Sequence, residues 1–162
     1  MTAARRSRKR YVCLAALGFG LAVLAPALQA ATTERVVIDR HTGLAIYGID
    51  PVAYFTNRKP TAGHENLELR FAGAVWRFEN EGNRAAFAAD PDVYMPRFGG
   101  YDPLGVSRGV ATPGKPALWI VSEQRLYLFY TADARAAFLA NPAEVIAAAM
   151  SRWPAVKSEL AE

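Results

Sequence analysis

The chain has 162 residues and a formal charge of +4, with 52% apolar, 21% charged and 11% aromatic residues. That balance describes one folded globular unit and excludes a disordered chain or a coiled coil. Arg5, Arg6, Arg8, Lys9 and Arg10 account for 5 of the 19 basic residues, and the other 14 face 15 acidic ones, so the body carries about −1 and does not bind nucleic acid through bulk charge.

In chain order, the basic start is followed by the uncharged run Tyr11 to Leu24, then Pro26 and the small-residue stretch Ala27-Leu28-Gln29-Ala30-Ala31. This is the order of a secretory signal peptide over residues 1–30, cut after Ala30 or, alternatively, Ala27. The run falls short of the roughly 20 apolar residues that a spanning helix needs. A periplasmic product without stable membrane insertion is expected, by the general or the twin-arginine route, with an uncleaved anchor as the alternative. Cys13, the only cysteine, lies in this leader, so the mature chain has no thiol for disulfides, metal ligation or nucleophilic chemistry. Residues 31–42 read as a flexible lead-in and 155–162 as a tail.

Between them lies an internal duplication. Val75-Trp76-Arg77-Phe78 followed by Arg84-Ala85-Ala86-Phe87 and Asp90-Pro91 recurs 51 positions later as Leu126-Tyr127-Leu128-Phe129, Arg135-Ala136-Ala137-Phe138 and Asn141-Pro142. Gly48-Ile49-Asp50-Pro51 recurs as Gly100-Tyr101-Asp102-Pro103 at an offset of 52. The repeats span about 48–98 and 100–150 within a domain at 43–154. Each predicts a hairpin followed by helices. Leu67 to Phe71 and Val75 to Phe78 alternate around Ala72-Gly73, the period of a half-buried strand pair. Leu118 to Val121 and Leu126 to Tyr130 are more continuously apolar, which predicts strands covered on both faces. Asn80 and Thr131 are placed to cap one helix in each repeat, and Asp90-Pro91 and Asn141-Pro142 to start the next. The final helix is expected to stop at Pro154. The predicted fold is α+β, an antiparallel sheet built from the two hairpins with the helices packed on one face.

Several ordered motifs can be taken together: Gly48-Ile49-Asp50-Pro51-Val52-Ala53-Tyr54-Phe55, Trp76-Arg77-Phe78, Asp90-Pro91-Asp92-Val93-Tyr94, Pro96-Arg97-Phe98-Gly99-Gly100-Tyr101 and Trp153-Pro154. In this order they resemble the bacterial YHS-domain family over about Gly43 to Pro154. The resemblance implies a relation to domains attached to heavy-metal transport proteins, hence metal chelation, and to exported stand-alone members. Where the family pattern suggests a cysteine after Gly-Gly-Tyr this chain has Asp102, so thiolate metal chemistry does not carry over.

The candidate binding residues are Asp50, Tyr54, Tyr101 and Asp102, because a pocket at the join of the repeats would bring the two turn-proximal tyrosines and the duplicated carboxylates together. Asp102 before Pro103 also reads as a helix cap. The aromatic set Tyr54, Phe55, Trp76, Phe78, Tyr94, Phe98, Tyr101, Trp119, Tyr127 and Tyr130 reads chiefly as core and alternatively as a pocket lining. No catalytic motif is present, and no resident cofactor is expected. A copper or zinc site is the alternative, from His41 and His64 completed by Asp50, Asp102, Met95 or Met150. The expected function is an exported, non-enzymatic binding or accessory module for a small ligand or a periplasmic protein partner; periplasmic copper or zinc binding and an enzyme of unknown reaction are the alternatives.

Overall fold

In the computed structural model, which describes residues 34–160, the duplicated sequence becomes duplicated structure. The first repeat comprises α1 (Ala53–Thr56), β1 (His64–Phe71), β2 (Ala74–Phe78), α2 (Glu81–Ala89) and α3 (Pro91–Tyr94). The second comprises α4 (Pro103–Ser107), β3 (Lys115–Ser122), β4 (Arg125–Phe129), α5 (Ala132–Ala140) and α6 (Pro142–Ser158). Even an irregularity is copied: β1 and β2 lose register between His64 and Glu68, and β3 and β4 between Lys115 and Trp119. The fold class is α+β.

Local chemistry accounts for most of these elements. The Asn80 side chain accepts a hydrogen bond from the Asn83 N–H at 2.8 Å and Thr131 Oγ1 from the Ala134 N–H at 3.1 Å, so both expected caps form. Pro91 and Pro142 open their helices, but the preceding Asp90 and Asn141 make no side-chain cap; the proline, with its fixed φ, is the start signal. Ala72 and Gly73, with φ of 50° and 80°, turn the first hairpin, and Glu123 and Gln124, with φ of 49° and 56°, turn the second. Two consecutive left-handed residues match the twist of an antiparallel pair.

The packing separates into two cores, and β4 stands between them. Leu126 and Leu128 point into a core with Trp76, Phe78, Phe87, Ile46 and Tyr54. Tyr127 and Phe129 point into another with Val106, Phe138, Ala149 and Phe98. Alternate strand residues face opposite sides, so β4 must be apolar on both, and Leu126 to Phe129 are all buried. β2, by contrast, buries only every second residue. The cores are built alike: Trp76 and Phe87 have ring centroids 5.0 Å apart at 36°, and Tyr127 and Phe138 lie 5.0 Å apart at 41°.

Four expectations change. The hairpins do not join into one sheet but form two separate two-stranded sheets, β1-β2 and β3-β4, because side chains of the first core, not backbone hydrogen bonds, fill the space between them. The segment 34–38, read as part of a flexible lead-in, is held: Val36 and Val37 are buried in the first and second core respectively, and the Val37 N–H donates to the Gly99 carbonyl at 2.8 Å. Pro154 does not end the last helix, which runs through it to Ser158. An interior proline costs about 3 kcal/mol, and the burial of Val156 and Leu160 beyond it returns about 1.5–3 kcal/mol for each large apolar side chain. That burial also removes 155–160 from the expected tail.

Candidate functional site

The four residues singled out from the sequence are all interior. Asp50 is fully buried and its carboxylate accepts from the Val52 N–H at 2.8 Å, the Glu79 N–H at 2.8 Å and Asn83 Nδ2 at 2.6 Å. Asp102 repeats the arrangement, accepting from the Leu104 N–H and the Tyr130 N–H, both at 2.9 Å. In each repeat one carboxylate therefore joins the turn before a short helix to the residue that follows the second strand. The cap reading of Asp102 holds, with a second role the sequence did not indicate.

The tyrosines are anchored in the same way. Tyr54 Oη donates to the Pro116 carbonyl at 3.0 Å, tying the first repeat to β3, and its ring meets Trp119 edge-on at 5.2 Å. Tyr101 Oη donates to the Glu34 carbonyl at 2.6 Å. Burial raises both phenols, because it penalises the charged phenolate; that of Tyr101 is pushed up to about 12, with the Glu34 carboxylate adding to the effect. Both hydroxyls therefore remain neutral donors at ordinary pH. Tyr101 borders a hollow of about 250 Å³ beside Tyr47 and Pro113, whereas Asp50, Tyr54 and Asp102 border neither this hollow nor the larger cavity.

The histidines do not converge. His41 is almost wholly exposed, 3.4 Å from Asp39, and His64 is an exposed residue at the start of β1. Among the described residues no group of three His, Cys, Asp or Glu side chains is placed to hold a metal ion.

The larger cavity, about 930 Å³, lies between the first repeat and the end of α6. The held segment 34–38, the β1-β2 turn, the loop 95–99 and the end of α6 all contribute to its wall. Its apolar wall includes Met95, Phe98 and Trp153, with Phe98 and Trp153 packed edge-to-face at 5.7 Å. Arg35, Arg70, Arg97 and Lys157 line it against two acids, Glu34 and Asp92. The Arg97 guanidinium lies over the Phe98 ring at 5.8 Å, a cation–π contact that holds it at the wall. Gly99 makes the close approach possible. A Cβ there would lie 2.0 Å from the Arg35 carbonyl oxygen, so only glycine lets the loop pack on the incoming segment.

A pocket was expected at the join of the repeats, bringing Tyr54 and Tyr101 together; this cavity instead lies between the first repeat and the end of α6, and of the aromatic candidates only Phe98 lines it. Its cations were missed because positions 35, 70, 97 and 157 share no spacing. The one available signal was Arg97 within Pro96-Arg97-Phe98-Gly99-Gly100-Tyr101. Comparison of the chain with protein-family models, with curated proteins and with solved structures finds no match.

Proposed function

We propose that this chain is an exported, non-enzymatic binding or accessory module of the periplasm that takes a small ligand in the cavity between its first repeat and the end of α6. The observation that carries the reading is that cavity: several hundred Å³ is the size of a small-molecule site, and its wall mixes apolar and charged side chains from the segment 34–38, the first repeat and the end of α6. The buried carboxylates and tyrosines are engaged in hydrogen bonds that hold the fold, which favours a binding role over a catalytic one. Export rests on the order of basic, apolar and small residues before Ala31. The placement among YHS-domain proteins rests on the motif order from Gly48 to Pro154.

Native mass spectrometry on protein purified from its own periplasm tests both parts. The expected product begins at Ala31 and retains a small-molecule mass that is lost on denaturation. A product that keeps Met1, or that carries no added mass and melts identically before and after exhaustive dialysis, overturns the corresponding part of the proposal.

A further inference from the structure

Charge is distributed unevenly over the described fold. Two arginines away from the cavity are held by acids: Arg77 lies 2.9 Å from Glu68 and 3.6 Å from Glu65, and Arg84 lies 2.8 Å from Glu81. At the cavity, Arg70, Arg97 and Lys157 form no ion pair among the described residues, and Arg35 adds a fourth positive charge to the same wall. These residues come from widely separated parts of a body whose net charge is about −1. Four cations face two acids, Glu34 and Asp92, on this wall, so positive charge is in local excess there, and an incoming anion offsets the repulsion among the cations.

Resting on the binding reading above, we infer that the cavity binds a small organic anion: a carboxylate, phosphate or sulfonate group carried on an apolar body. The arginines supply planar forks of N–H donors that fit such oxyanions, and the ammonium of Lys157 adds a point charge. Met95, Phe98 and Trp153 supply the surface for the apolar body. Neither half suffices alone. Exposed charges bind a simple ion weakly in water, whereas an apolar body pressed against aromatic rings removes water from both partners and strengthens the charge contact.

The test is a fluorescence titration of the full mature chain with two probes of similar shape, 1-anilinonaphthalene-8-sulfonate, which is anionic, and N-phenyl-1-naphthylamine, which is neutral. The wild type should bind the anionic probe about tenfold or more tightly than the neutral one, with an affinity that falls as ionic strength rises. Arg70→Gln combined with Lys157→Gln changes only exposed residues, so the fold should persist, which the melting temperature checks. This variant should lose about tenfold in affinity for the anionic probe and little for the neutral one. Arg97→Gln should act in the same direction. Equal affinity for the two probes, or an unchanged affinity in the variants, overturns the anion inference and leaves a neutral-ligand cavity. Failure of both probes to bind overturns the inference and the cavity-binding reading together.

Discussion

Asp50 and Asp102 show how one side chain can organise a whole repeat. Each carboxylate bonds to the backbone at the start of a short helix and again just beyond a β-strand, so removal strands N–H donors at two places. Hydrogen bonds to a charged acceptor contribute about 1.5–3 kcal/mol. Asp102→Ala is therefore expected to cost about 2–4 kcal/mol in urea denaturation, and Asp50→Ala more, because Asn83 Nδ2 also loses its acceptor. Asp102→Asn should cost about 1–3 kcal/mol, since an amide nitrogen must face one of the two N–H groups. A cost near zero for Asn would mean that only the cap matters. Tyr101 yields a pH prediction. Its phenol titrates near 10 in the unfolded chain and at about 12 in the fold, so between these values the unfolded state has lost a proton that the folded state keeps. Stability is then fully present below pH 10 and falls as pH rises toward 12. Tyr101→Phe should reduce that alkaline slope and cost about 1 kcal/mol at neutral pH through the lost bond to the Glu34 carbonyl. Tyr54 and Tyr127, also raised by burial, keep part of the slope in the variant. Equilibrium denaturation of both proteins from pH 8 upward checks this.

At the scale of elements, the two hairpins differ in one informative way. Gly73 occupies the second left-handed turn position in the first, and Gln124, 51 residues later, occupies it in the second at φ 56°. A side chain in that conformation costs about 1–2 kcal/mol. Gln124→Gly should therefore raise the stability by up to about 1 kcal/mol after the entropy cost of glycine in the unfolded chain; a decrease would show that the Gln124 side chain contributes an interaction of its own. Gly63 and Gly114 make the opposite prediction. A Cβ on Gly63 would lie 2.4 Å from the Arg77 carbonyl carbon, and one on Gly114 would lie 2.5 Å from Leu128 Cβ and 2.7 Å from the Gly100 oxygen. Gly63→Ala and Gly114→Ala should each destabilise by about 1–3 kcal/mol through overpacking, read as a lower urea midpoint at unchanged m-value.

For the described fold as a whole, β4 couples the two cores. Because Leu126 and Leu128 serve one core and Tyr127 and Phe129 the other, neither core can open without exposing a face of the same strand. Unfolding should therefore be a single transition, with coincident midpoints for tryptophan fluorescence and far-ultraviolet circular dichroism. Phe87→Ala and Phe138→Ala, equivalent positions in separate cores, should each cost about 3–5 kcal/mol. Each should lower both midpoints together; separate transitions in either variant would show that the repeats fold independently.

The duplication, the strand alternation, both Asn80 and Thr131 caps, the proline starts of two helices and the interior character of most aromatics were legible in the chain alone, because each depends on contacts within a dozen residues or on a side chain's own polarity. Tertiary structure decided the rest. Alternation shows that a strand has an apolar face but not what covers it, so the separation into two sheets and the position of β4 between two cores emerged only from packing. Pro154 reads locally as a stop, and burial of Val156 and Leu160 carries the helix past it. Asp50, Tyr54, Tyr101 and Asp102 were identifiable as unusual, but long-range bonds to Glu79, Pro116, Glu34 and Tyr130 assign them to holding the fold. The cavity's cations could be gathered only by the fold, since electrostatic proximity in space leaves no mark on spacing along the chain.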